Sequence, residues 1–159
     1  MFLPPSMLSS GKLKDAKPQS LLLPLTQYGE PFLVTGGEIP HAVMLEGSHA
    51  GHFMPLEEGE HYDGLCVHGV EIEVDIESAY EAFAMHRRKL SFIASGGNQG
   101  IVGLPGQNST GRIGPVISWA GAPIDMHAPA VGFTSWDAVI RLGDARHVVY
   151  SHRGTPAKP

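Results

Sequence analysis

The stretch Val70–Leu90, VEIEVDIESAYEAFAMHRRKL, constrains the fold most. Its first half alternates strictly: Val70, Ile72, Val74 and Ile76 on one side, Glu71, Glu73, Asp75 and Glu77 on the other. Strand side chains alternate faces, so this pattern predicts a half-buried strand with one acidic face. The second half changes period. Ala79, Phe83, His86 and Leu90 recur at helical spacing, and Ser78 with Glu81 has the form of a capping box. A helix is therefore expected around residues 79–89, with Phe83 buried on its apolar stripe. It would end on Arg87, Arg88 and Lys89, where a helix dipole favours cations.

The rest of the chain reads as short strands and turns. Gly 20 and Pro 13 are both above average usage for 159 residues. Strands are expected at 21–25, 31–35, 41–46, near Phe53, and at 65–67, 90–94, 116–119, 138–142 and 147–151. Leu65 and Val67 are odd-numbered, whereas Val70, Ile72 and Val74 are even-numbered. One flat strand cannot face both sets inward, so a bulge or tight turn is expected at His68-Gly69. Gly96 to Gly114 holds seven glycines and reads as a long loop or a meander of turns. The predicted class is mainly β, a β-sandwich or partly closed barrel with one α-helix. Its organisation is an extended Pro-rich arm (1–20), a single β-rich domain (21–152) and a loose tail (153–159).

Cys66 is the sole cysteine, so no intrachain disulfide forms. The N-terminal segment lacks a basic region before its apolar residues, and no apolar run is long enough to span a bilayer. A soluble protein is expected, cytoplasmic or within a virion-like assembly, with no membrane partner.

Charge is unevenly distributed. Between Pro18 and His86 there is no Lys or Arg, yet 12 of the 16 acids lie there. From Arg87 onward there are eight bases and three acids, and residues 1–17 add three lysines and one acid. This split predicts contact between opposite halves, within a molecule or between neighbours. The residues expected to carry it are Lys12, Lys14 and Lys17, the row Glu71, Glu73, Asp75 and Glu77, and the cluster Arg87, Arg88 and Lys89. The cluster is short and lacks interleaved aromatics, unlike a nucleic-acid-binding stripe.

Six of the nine histidines fall between His41 and His86. His49, His52 and Glu57, with His127 downstream, are a candidate set for a divalent transition metal. In outline the set resembles that of a cupin-type β-barrel enzyme, which implies metal-dependent small-molecule chemistry. The pattern departs from that family in its spacing. His-x-x-His places two rings on opposite faces of a strand, where cupins carry His-x-His. Cys66 and His68 share a strand face, but no third group orients them as a nucleophilic pair. The segment GLPGQNSTG lacks the lysine of a phosphate-binding loop.

These readings favour a non-catalytic, β-rich interaction protein without a cofactor, a subunit of a larger assembly that binds protein partners or itself. A virion-type decoration or accessory protein is its most concrete form. The competing reading is the metal-dependent enzyme.

Overall fold

The computed structural model describes residues 2–82, 86–104, 114–125 and 128–155. These residues form a mainly β protein of fourteen strands in three antiparallel sheets. No helix among them is long and apolar enough to cross a membrane.

The first sheet takes every strand before residue 68. These are β1 (Leu8–Lys12), β2 (Ser20–Leu23), β3 (Phe32–Val34), β4 (His41–Met44), β5 (Phe53–Pro55) and β6 (Asp63–Val67), in the order β1-β6-β2-β3-β4-β5. Register explains why β2 to β4 are apolar at nearly every position. Leu21 lies opposite Leu33 and Val67, and Leu33 opposite Val43; all four belong to the main core. One residue along, Leu22, Phe32, Met44 and Cys66 face a second core. Both faces of β2 to β4 are covered, so these strands carry no polar side.

Residues 8–12, expected within an extended arm, are the edge strand β1, with Leu8 opposite Val67 and Lys12 opposite Asp63. A 3-10 turn follows at Leu13–Asp15, and Leu13 is fully buried in the second core. What the Pro-rich segment lies on is its own chain.

At His68-Gly69 the chain leaves the first sheet. Gly69 has φ +69°, a left-handed conformation that glycine adopts without strain. Val67 and Val70, on opposite parities, are both buried. The expected tight turn is thus a switch between sheets.

The second sheet has five strands: β8 (Ala79–Glu81), β9 (Phe92–Ser95), β10 (Asn98–Val102), β11 (Val116–Ala120) and β12 (Val131–Phe133), in the order β11-β10-β9-β12-β8. The third is β7 (Glu71–Val74), β13 (Ser135–Leu142) and β14 (Ala145–Arg153), in the order β14-β13-β7. β13 and β14 are joined by Gly143-Asp144, with Gly143 at φ +59°, the glycine-first pattern of a two-residue hairpin turn.

The helix expected over residues 79–89 is a correction. Ala79, Tyr80 and Glu81 pair with Phe133, Gly132 and Val131 as strand β8. Ser78 caps no helix: its hydroxyl donates to the Asp75 carbonyl at 2.7 Å and accepts from the Ser135 amide at 3.0 Å. Leu90 takes φ +61°, which no α-helix contains. Pairing with a partner strand outweighed a local helical period. Helical turns among the described residues are 3-10 only, at 5–7, 13–15, 56–61 and 76–78. Phe83 lies outside the described residues.

The main core closes around Trp136, 1% exposed, whose indole nitrogen donates to the Leu90 carbonyl at 2.8 Å. Phe92, Tyr150 and His152 surround the ring at centroid distances of 6.4, 5.9 and 5.5 Å.

Candidate interaction surface

The third sheet shows one face to the core, and its other face turns charged side chains to solvent around Val139, which is itself fully buried. On β13, Trp136, Ala138 and Ile140 face the core. Asp137, Val139 and Arg141 take the other face, with Glu73 opposite Asp137 and Glu71 opposite Val139 on β7. β14 reaches the same face through an irregularity. Opposite Ala138 and Val139 stand Tyr150 and Val148, so Val149 is an extra residue, a bulge. Arg146 and Arg153 are seven residues apart, an odd number, which would put them on opposite faces of a regular strand. The bulge returns both to the outer face.

The result is a network of three arginines and three carboxylates. Arg141 Nε donates to Glu71 Oε2 at 3.0 Å, and its Nη2 donates to Glu73 Oε1. Arg146 donates to Glu73 at 2.5 Å and to Asp137 Oδ2 at 3.2 Å. Arg153 pairs with Asp137 Oδ1 at 2.7 Å, and the Ser151 hydroxyl donates to the same oxygen at 2.7 Å. Burial pushes the Asp137 carboxyl upward, but Ser151 and the Arg153 and Arg146 guanidiniums outweigh it and hold it below the usual range. Exposed pairs contribute only about 0–1 kcal/mol each, so the network orders and registers this face more than it stabilises the fold. A cavity of about 250 Å³ opens at its β14 end, bounded by Glu73, Asp75, Trp136, Asp137, Arg146 and Arg153.

The acidic row is therefore split. Glu71 and Glu73 pair within the chain, but with Arg141 and Arg146 rather than with the cluster 87–89. The Asp75 carboxylate accepts from the Glu77 amide at 3.0 Å. In the N-terminal segment Lys12 and Lys14 both reach Glu60 at 2.5 Å, and together they hold its carboxyl at about 2. The Lys17 carbonyl accepts from the Ser20 hydroxyl at 2.6 Å. Arg88 lies over the Tyr80 ring at 5.3 Å and donates to the Thr155 carbonyl at 3.0 Å. Arg87 is half-buried, and the Lys89 stem runs against Gly51.

Of the candidate metal set, His49 and His52 do approach, with ring centroids 5.0 Å apart. They lie in the turns between β4 and β5, so the strand-face argument does not govern them. Glu57 is exposed in the 3-10 turn Leu56–His61, and His127 lies outside the described residues. Among the described residues no three His, Cys, Asp or Glu side chains converge as metal ligands do. Cys66 and His68 are not a working pair either. Cys66 is buried, which pushes its thiol up, and the His68 Nε2 meets the Ser9 hydroxyl at 2.7 Å.

Sequence reading missed Asp137, Arg141, Arg146 and Arg153. The available signal was the run of β-branched residues in AVIRL and RHVVY on either side of Gly143-Asp144, which marks a hairpin with arginines on both arms.

A family model described as "Uncharacterised protein y4lG" matches residues 10–157. The chain belongs to the y4lG family. "Uncharacterized protein y4lG" of Sinorhizobium fredii (strain NBRC 101917 / NGR234) is 40% identical over 81 residues. That match covers 50% of this chain and 50% of the relative, so the chain spans about half the length of this curated y4lG protein. No solved structure matches. The y4lG family match takes in β14 and both remaining strands of the third sheet, and all but the first two residues of β1.

Beneath the network, the His152 ring lies against Trp136, and its proton affinity is lowered by burial first and by Arg153 and Lys89 next. The unfolded chain therefore takes up this proton at a higher pH than the folded one does. Stability from this group is complete well above pH 6.5 and declines as pH falls through and below it. Denaturant midpoints measured from pH 8 down to 5 should fall, and His152→Phe should flatten that decline.

Proposed function

We propose that the protein is a non-catalytic, β-rich structural subunit that works by associating with protein partners or with further copies of itself. A decoration or accessory subunit of a virion-type particle is the most concrete form of this reading. One observation carries it. β14, nine residues long and the longest strand among the described residues, lies at a sheet edge. Among the described residues its backbone ladder runs to β13 alone. An edge of this length is a template for another strand, and proteins normally shorten or cover such edges. Here Arg146, the Val149 bulge and Arg153 restrict which strand can dock, and leave Val148 and Tyr150 half-buried between them.

Light scattering on the purified chain tests this reading. A mass above the 17.0 kDa of one chain is expected at low ionic strength. It should fall toward a single chain in about 1 M salt, where the Debye length shrinks to about 3 Å. A single-chain mass throughout, with nothing captured from the native source, would remove the proposal.

A further inference from the structure

We infer that copies of the chain associate head to tail, the β7 edge of one accepting the β14 edge of the next; this rests on the reading of the protein as an assembly subunit. The third sheet is open at both ends, and its ends differ in charge. β7 carries Glu71 and Glu73 on the outer face and no base, and Asp75 and Glu77 follow it at the 3-10 turn. β14 carries Arg146 and Arg153 on that face, while His147 and His152 stand opposite the core-facing Ile140 and Trp136, and the strand has no acid. Among the described residues neither strand has a backbone hydrogen-bonded neighbour except β13.

Direction and facing both fit. β7 and β14 are each antiparallel to β13, so they run parallel to one another. A second copy displaced across the sheet, strand upon strand, places its β14 parallel to the first copy's β7. Translation keeps the outer face outer. The arginines of the incoming β14 therefore arrive on the face that bears Glu71 and Glu73, continuing the alternation of acid and base already running through Glu73, Arg141 and Arg146. The bulge at Val149 is what permits this, since without it one arginine would point into the core side. The two alternatives, β14 on β14 or β7 on β7, set arginine against arginine or glutamate against glutamate, and like charges facing one another oppose pairing. A contact between two different surfaces of one chain closes into a ring or runs on as a filament. With twist of roughly 20–25° per strand, three strands per copy turn each successor by about 60–75°.

Two variants test the inference by light scattering. Glu71→Arg places a cation on the β7 edge, and Val148→Lys places one in the middle of the β14 edge. Each variant alone should have a single-chain mass, because every contact requires one blocked edge. Mixed in equal amounts, they should form a complex of exactly two chains, since one intact β7 edge then meets one intact β14 edge and the remaining edges repel. If Val148→Lys alone is dispersed while Glu71→Arg associates as the parent does, the contact is β14 on β14 and the inference is wrong. The mirror result assigns β7 on β7 and is equally fatal. Both outcomes leave the assembly reading standing, whereas a parent chain that never associates removes the reading itself. Hydrogen exchange on the unmodified chain gives a check free of folding defects in the variants. Amides of Glu71–Val74 and of Ala145–Arg153 should gain protection together as concentration rises, and protection at one edge only would refute the head-to-tail contact.

Discussion

Trp136→Ala should lower the unfolding free energy by about 3–5 kcal/mol. The ring is 1% exposed and stands where β13 crosses the main core, against Phe92 of the second sheet and Tyr150 of β14. Its loss opens a void in a core shared by residues of all three sheets, and close packing leaves no single neighbour free to relax and fill it. The indole nitrogen also serves the Leu90 carbonyl, whose residue sits at φ +61° between the cluster 87–89 and β9. Trp136→Phe separates the two effects. It keeps most of the apolar volume but leaves a buried carbonyl without its donor, a cost of about 1–3 kcal/mol. Set against a typical domain stability of about 5–15 kcal/mol, the alanine variant should be marginal. Urea midpoints for both variants, read by circular dichroism, check the ordering. A midpoint for Trp136→Ala equal to that of the parent would mean that the main core is not built around this ring.

Leu13→Ala should cost about 2–5 kcal/mol. A leucine in a loose Pro-rich arm would give a change within about 0.5 kcal/mol, so the measurement separates the two pictures by a wide margin. Leu13 is fully buried beside Leu22, Phe32 and Cys66 and forms the lid of the second core. It is held there from both sides. Its amide donates to the Tyr62 carbonyl at 2.7 Å, and Gly59 approaches so closely that a methyl group at that position would meet the Leu13 side chain at 2.9 Å. The salt bridges of Lys12 and Lys14 to Glu60 register the same contact but are exposed, so little of the loss should be salt-dependent.

These two residues also show what local pattern reveals and what it conceals. The alternation from Val70 to Glu77 is a period-two signal, and β7 forms over its first half, Glu71–Val74, whereas Ile76 is 79% exposed in the 3-10 turn that follows. The partners of its acids are some seventy residues downstream, and the face they share depends on a bulge at Val149 that no run of residue types announces. Ser78, Glu81 and the spacing of Ala79, His86 and Leu90 are an honest helical signal, overridden because Tyr80 lies flat across Gly132 of β12. Added to Gly132, a Cβ would fall 2.3 Å from the Tyr80 ring; the strand pair exists because that glycine is bare. β12 itself is only Val-Gly-Phe, too short to carry a pattern. β1 reads Leu-Ser-Ser-Gly-Lys and has no strand signal; it is a strand because β6 offers an edge to it. For the candidate surface, Glu71 and Glu73 were legible and Asp137 and the arginines were not, since their sequence neighbours say nothing about which face they reach.

The division of the sheets along the chain bears on how the protein is made. Residues 8–67 contain a whole sheet, and the second core, from Leu13 to Cys66, lies entirely within them. A ribosome that has released Val67 has released everything that half needs. The opposite side of the same sheet is another matter, for Leu21, Leu33, Val43 and Val67 share their core with later residues, among them Phe92, Ile101 and Trp119 and, made last, Trp136, Ala138 and Ile140. At about 5–20 residues per second the wait for those side chains lasts some 4–14 s. For that interval a finished sheet carries a greasy open side on the nascent chain, the kind of surface that chaperones hold and that neighbouring polysomes can entangle. Expression at lower temperature, or with a holdase supplied, should raise the soluble yield more than any change of buffer after lysis.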